Sequence, residues 1–319
     1  MTQQSERLLT PPAAPVEPSE PAPAGGWRNT LAGGLVRSAR PRQWIKNLLV
    51  FAAPGAAGVL THADALGKTA LAFVAFCLAA SGTYYLNDSL DYAADRQHPT
   101  KRFRPIAAGV VPLGLARVSA IVLLAAGVAV GLATAGWQLA VVLGVYVAIT
   151  ISYSFYLKHQ PIIDIAAVAA GFVIRTIAGG VATGVPISEW FLIVASFGSL
   201  FMVSGKRSAE FDEMGVDRGS TRVTLSFYTA SFLRYVRGTT SSVALAAYCL
   251  WAFEKANAAN THIWFELSIV PFVLGILRYA LLLDTGHGGA PEEVVLHDRT
   301  LQVLGLIWMA MFAIGVYAG

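Results

Sequence analysis

Nine apolar runs, each long enough to cross a bilayer, constrain the fold of this chain more than any other feature. They lie roughly at 44–60, 69–89, 115–134, 137–157, 162–182, 189–206, 227–251, 262–283 and 300–318. A spanning helix needs about 17–25 residues, and each run falls in or near that range. The first is interrupted by Pro54 and by several small residues. Only 13% of the residues are charged and 55% are hydrophobic, where a soluble domain carries about 25% charge. The expectation is an all-α integral membrane protein of about nine transmembrane helices. Tight turns at "GWQ" and "GVPISEW" separate neighbouring runs, and longer polar segments occupy 88–114, 206–226 and 284–299.

Residues 1–26 hold six prolines with Ala, Ser and Gly and no apolar core, which reads as a disordered leader and not a signal peptide. A leader over 1–34 and a membrane domain over 35–319 are expected. The stretch "GGLVRSARPRQWIKNLLV", with Arg37, Arg40, Arg42 and Lys46, suits a helix lying at the lipid surface. The remaining basic residues orient the bundle. With the N-terminus in the cytoplasm, inner loops carry Arg96, Lys101, Arg102, Arg104, Lys158, Lys206, Arg207, Arg218 and Arg222, while outer loops carry only Lys68 and Lys255. That asymmetry obeys the positive-inside rule and puts all three polar segments on the cytoplasmic face of the plasma membrane. The partner implied by these charges is a lipid bilayer, not a nucleic acid. The two cysteines, Cys77 and Cys249, lie inside apolar runs without metal-ligand spacing and read as small core residues.

The polar segments carry the chemistry. In "YYLNDSLDYAADRQHPTKRFRP", Asp88, Asp91 and Asp95 are spaced i, i+3, i+7, and Asn87 precedes Asp91 by four. On a helix these oxygens share one face. Crowded carboxylates repel unless a cation sits among them, and Mg²⁺ favours oxygen ligands shared with substrate phosphates. Arg96, Lys101, Arg102 and Arg104 follow, suited to phosphate oxygens or to anionic lipid. In "SGKRSAEFDE" the spacing faces Lys206 towards Glu210 one turn on, either as a salt bridge or as an anion site in which Glu210 orients the lysine or adds a metal ligand. In "YSFYLKHQPIID", Tyr153, Lys158 and Asp164 surround the inner end of a hairpin. Arg175 lies deep within "AAGFVIRTIAGG"; an ionised group there faces a partner or a polar cavity.

Together these residues resemble the UbiA superfamily of intramembrane prenyltransferases. The superfamily pattern N-D-x-x-D-x-x-x-D is matched at every fixed position by Asn87, Asp88, Asp91 and Asp95. The resemblance covers everything after about residue 35. It implies nine helices around a central cavity that opens to the cytoplasm, and a Mg²⁺ held by Asn87, Asp88, Asp91 and Asp95. The second aspartate-rich motif of most members, D-x-x-x-D, is replaced here by "KRSAEFDE". With "RPRQWIKNLLVFAAP", "YSFYLKHQPIIDI" and "GFVIRTIAGG", this departure is similar to one branch of the superfamily. That branch moves 5-phosphoribose from phosphoribosyl diphosphate to the phosphate of a polyprenyl carrier, decaprenyl phosphate, for cell-wall arabinan synthesis.

On that resemblance Asp88, Asp91 and Lys206 act at the reacting centre. Lys46, Asn87, Arg102, Arg104, Tyr153, Lys158, Arg175, Arg207 and Glu210 contact substrate. Some relatives assemble, so a homo-oligomer such as a trimer is compatible with it. Two other readings stand beside this one. A transferase of the same superfamily could move a prenyl chain from its diphosphate to an aromatic acceptor, though such an acceptor brings no second phosphate for Lys206 and Arg207. A transporter with a cytoplasmic metal gate would show paired broken helices in matching halves, and none are evident.

Overall fold

The computed structural model describes residues 26–213, 223–258, 262–286 and 291–318, and every regular element among them is helical. Residues 1–25 of the leader, with Arg218 and Arg222 of the topology argument, lie outside the described residues. Helix α1, Leu31–Ala39, starts where Thr30 Oγ1 accepts the Gly33 N–H at 3.1 Å. The domain boundary expected at residue 34 therefore falls inside an ordered helix. α1 buries Gly33 and Gly34 and leaves Leu31 and Val36 exposed, and Val110 and Val111 lie where a Gly34 side chain would project.

Eight of the nine expected segments are helices of crossing length; the first is different. Pro41–Phe51 winds as a 3₁₀ helix and passes into the short α2, Ala52–Ala56. Then follow α3 (Ala63–Leu90), α4 (Tyr92–Gln97), α5 (Leu113–Phe155), α6 (Ile163–Thr183) and α7 (Glu189–Glu213). The chain closes with α8 (Ala230–Ala258), α9 (His262–Asp284), α10 (Pro291–His297) and α11 (Arg299–Tyr317). By length and composition α3, α5, α6, α9 and α11 are apolar enough to cross a membrane. α7 and α8 have the length, but Lys206, Arg207 and Glu210 at the end of α7, and Arg234 and Arg237 at the start of α8, lower their apolar content.

The 43 residues of α5 are two helices. Ala135 (φ −141°, ψ 28°) and Gly136 (φ 66°, ψ −158°) leave helical geometry, and Gly136 takes the left-handed φ that glycine adopts without strain. The halves fold back on each other: Leu143 lies against Gly131, twelve residues earlier. This is the turn expected at "GWQ".

With no hydrophobic drive between helices in lipid, close packing through small residues holds such a bundle together. At Gly127 of α5 an added Cβ would lie 2.9 Å from the Ala75 carbonyl and 3.0 Å from the Ala79 nitrogen of α3. Ala72, Ala75, Phe76 and Ala79 of α3 pack there with Leu139, Leu143 and Tyr146 of α5. On the other side aromatic rings join α8, α9 and α11: Tyr248 stacks on Phe272 at 3.9 Å and Trp251 on Phe312 at 5.5 Å. Tyr248 also accepts the Trp308 N–H at 2.6 Å.

Overpacking the α3–α5 contact with Gly127→Val should cost about 1–3 kcal/mol. It is read as a lower thermal midpoint in detergent, with Gly114→Ala, where nothing lies within 4 Å, as the unchanged control.

Candidate functional site

Three polar clusters and one large cavity sit in this apolar frame. The first cluster is where α3 ends. The helix does not run unbroken through the aspartates: α3 stops at Leu90, Asp91 lies near the bridge region (φ −83°, ψ 5°), and Asp95 belongs to α4. Asp88 and Asp95 are nonetheless brought together, through a guanidinium. Arg104 Nη1 stands 3.1 Å from Asp88 Oδ1 and 2.7 Å from Asp95 Oδ2. A second arginine, Arg40, reaches Asp88 Oδ1 at 2.7 Å and stacks over Tyr84 at 4.8 Å. Arg40 has φ 53° immediately before Pro41, a strained conformation that places its side chain over the carboxylates. Both carboxylates are buried, while Asn87 and Asp91 are half-buried. Among the described residues no three acidic or metal-ligating side chains close into a ready metal cage. Arg102 is exposed, with its guanidinium over the Phe103 ring at 4.8 Å.

The second cluster centres on Arg207, which is 2% exposed. Its Nε donates to Asp164 Oδ2 at 2.9 Å, Nη1 to Glu210 Oε2 at 2.8 Å and Nη2 to the Tyr153 hydroxyl at 3.3 Å. Thr224 and Tyr228 donate to the same Asp164 carboxylate. Tyr228 also accepts the N–H of Ile162, a non-glycine residue at φ 69°. Tyr228 thereby joins the Asp164 carboxylate to the Ile162 backbone. Glu210 thus pairs with Arg207, three residues before it. Arg207 itself is enclosed by protein groups, which makes it a clamp between α6 and α7. Lys158 sits half-buried on the 3₁₀ turn Leu157–His159 nearby.

The third cluster surrounds Arg175, 7% exposed. Nε donates to Asn47 Oδ1 at 2.7 Å, Nη1 to the Gly171 carbonyl at 2.6 Å and Nη2 to the Tyr146 hydroxyl at 2.9 Å. Phe76, Tyr146 and Phe172 enclose the guanidinium, with ring centroids 4.7–6.0 Å away. The partner expected for a buried charge is therefore an amide, a hydroxyl and aromatic faces, and no carboxylate among the described residues pairs with it.

Between the 3₁₀ segment, α6 and α7 lies a cavity of about 690 Å³. Its walls are almost wholly apolar, including Leu49, Val168, Phe172, Val194 and Met202, and it carries two cations, Lys46 and Lys206. Lys46 also donates to Gln43 Oε1 at 2.6 Å. The cavity runs along α7 from Phe191 to Lys206, and Lys46, on its wall, is six residues beyond the Arg40 that pairs with Asp88.

A multi-pass helical bundle with buried carboxylates at one end and an apolar, cation-bearing cavity beside them has the frame of an intramembrane transferase. Residues 48–316 match the UbiA prenyltransferase family, and the chain belongs to that family. It is 48% identical to a decaprenyl-phosphate phosphoribosyltransferase of Corynebacterium glutamicum over 291 residues, 90% of this chain and 88% of that protein. The enzyme of the same name from Mycolicibacterium smegmatis is 46% identical over 312 residues, covering 93% and 97%. Among solved structures, a UbiA homolog from Archaeoglobus fulgidus bound to DMAPP and Mg²⁺ superposes with a TM-score of 0.68 at 18% identity, over 88% of this chain and 97% of that one. A digeranylgeranylglyceryl phosphate synthase gives 0.64 at 16% identity, over 91% and 99%. At these identities the structural likeness shows the fold.

Arg40, Asn47, Tyr146 and Tyr228 were not singled out from the sequence as site residues. Arg40 and Asn47 flank Lys46 in "RPRQWIKN", so that stretch held the signal; Tyr146 and Tyr228 look like any other aromatics of a membrane segment. Removing one member of a buried ion pair leaves the other uncompensated, at a cost of about 3–5 kcal/mol. Asp164→Ala should therefore sharply lower the thermal midpoint, whereas Lys158→Ala should change the stability by no more than about 0.5 kcal/mol and leave the midpoint nearly unmoved.

Proposed function

We propose that this chain transfers 5-phosphoribose from 5-phosphoribosyl 1-diphosphate to decaprenyl phosphate, releasing diphosphate, at a site facing the cytoplasm. The observation that carries the reading is the cavity: two lysines above an apolar wall suit an anionic head on an isoprenoid tail. The high identity to phosphoribosyltransferases across nine-tenths of the chain supports the same substrates. The positive-inside distribution of Lys and Arg supports the orientation.

Two phosphorylated substrates must meet. The acceptor phosphate is already an anionic oxygen, so no strong base is needed to activate it. It attacks C1 of the ribose, the bond from C1 to the diphosphate oxygen breaks, and diphosphate departs with the electron pair. Lys46 and Lys206 hold the acceptor phosphate, and the aspartate end of α3 receives the donor's diphosphate. Positioning and electrostatics carry the acceleration. Arg207 with Asp164 and Glu210 fixes the end of α7, and hence the direction of its neighbour Lys206.

A divalent cation fits the aspartate cluster. Two buried carboxylates there already share one cation, the Arg104 guanidinium. The donors are all oxygen, and the lack of a closed cage suits Mg²⁺, which is commonly bound by one or two carboxylates plus substrate phosphates. Asn87, Asp88, Asp91 and Asp95 are the residues that would hold it. When bound it neutralises charge on the leaving diphosphate.

The deciding experiment incubates the purified protein with phosphoribosyl diphosphate, Mg²⁺ and polyprenyl phosphate, then weighs the lipid. Gain of one phosphoribosyl group is expected; consumption of prenyl diphosphate with the phosphoribosyl donor untouched would instead indicate a prenyltransferase. Asp88→Asn with Asp91→Asn, or chelation by EDTA, should lower turnover by at least about 10²-fold. Lys206→Ala should raise KM for the polyprenyl phosphate more than KM for the donor.

A further inference from the structure

Lys46 reaches the cavity from a segment whose winding is unusual, since 3₁₀ helices longer than three or four residues are uncommon. Pro41–Phe51 keeps it for 11 residues. With three residues per turn, positions three apart eclipse one another and form straight ridges. Lys46, Leu49 and Ala52 line the cavity. Asn47, Val50 and Ala53 are buried in the bundle. Ile45 and Leu48 belong to a third, largely exposed ridge, whose Ile45 also borders the cavity beside Lys46.

The buried ridge is held in register by α6. Asn47 meets Arg175, and Val50 meets Gly179, where an added Cβ would lie 1.8 Å from the Val50 carbonyl oxygen. Three residues of 3₁₀ helix rise about 6 Å, and four residues of α-helix rise about 6 Å. The steps from Asn47 to Val50 and from Arg175 to Gly179 are therefore commensurate, and the two helices lock along a straight line. Asn47 is anchored on its other side by Nδ2, which donates to Cys77 Sγ at 3.2 Å.

We infer that Arg175, acting through Asn47, is a positioning residue that fixes the rotation of the 3₁₀ segment and so aims Lys46 at the acceptor phosphate. Its three nitrogens are each committed to protein acceptors under three rings, which leaves the guanidinium serving this joint. A commitment of that kind in a nearly wholly buried arginine is not that of a phosphate ligand, the role the resemblance implied. The inference rests on the reading of the cavity as the acceptor site.

The test is steady-state kinetics of the full-length protein in detergent or nanodiscs, with each substrate varied in turn. Asn47→Ala and Arg175→Met both remove the bond at Asn47. Each should raise KM for polyprenyl phosphate by about tenfold while donor KM and kcat change by less than about twofold. Asn47→Asp, which keeps an oxygen for Arg175, should restore acceptor KM to within about threefold of the parent. In a Lys46→Ala background, Asn47→Ala should add no further rise, because the two act as one unit. Equal rises for both substrates, a lowered thermal midpoint with unchanged acceptor KM, or full additivity with Lys46→Ala would each overturn the positioning role. An unchanged acceptor KM in Lys46→Ala alone would overturn the acceptor site itself, a separate failure.

Discussion

A charge inside an apolar bundle must be met by another charge or by hydrogen bonds, and this structure is organised around three places where that happens. Leaving an ion uncompensated away from water costs several kcal/mol, so each buried ion dictates its neighbours. Asp88 and Asp95 bring in Arg104 from the following loop and Arg40 from before the first span. Arg207 ties α7 to Asp164 of α6, and that carboxylate gathers Thr224 and Tyr228 from the segment leading into α8. Arg175 draws the 3₁₀ segment onto α6. Remove these ions and the helices would retain their packing surfaces but lose the features that place one end of the bundle relative to the next.

The arrangement separates two tasks. Carboxylates collect at the end of α3, and lysines collect on the cavity wall between the 3₁₀ segment and α7. One end of the site thus attracts cations and the other anions, although they lie only a few residues apart along the chain at Arg40 and Lys46. Arg40 and Arg104 offset part of the carboxylates' charge, which lets Asp88 and Asp95 stay buried in the protein alone. Arg207 does the same for its own cluster, where two carboxylates and a hydroxyl surround it.

Much of this was legible beforehand, and the misses share a cause. Helical class, the α5 turn at Gly136 and the position of the aspartate cluster follow from period, length and glycine, which are local properties. The pairing of Glu210 with Arg207 was not legible, because on a helix i, i+3 and i, i+4 are both near neighbours and only the Asp164 side of α6 decides between them. The side-chain hydrogen-bond partners of Arg175 come from residues 29 and 128 positions away, beyond the reach of any local spacing rule. The break at Asp91 left no mark, since backbone bonding of the α type continues through it: Asp91 N–H to Asn87 and Asp95 N–H to Asp91. The interruption of the first span was legible at Pro54, but the 3₁₀ winding of Pro41–Phe51 was not, because such winding has no compositional signature.

The three ridges of Pro41–Phe51 carry a consequence for how such a segment can change over time. Each residue turns the 3₁₀ helix by about 120°. Deleting a single position ahead of Lys46 would therefore hand every ridge the place of its neighbour, sending the cation outward, the amide into the cavity and an oily side chain against Arg175, and adding one would turn the ridges the opposite way. Substitutions that respect the ridges touch one surface at a time. The segment is thus free to drift in composition on its outer ridge while its length is frozen, a reading frame written in three dimensions.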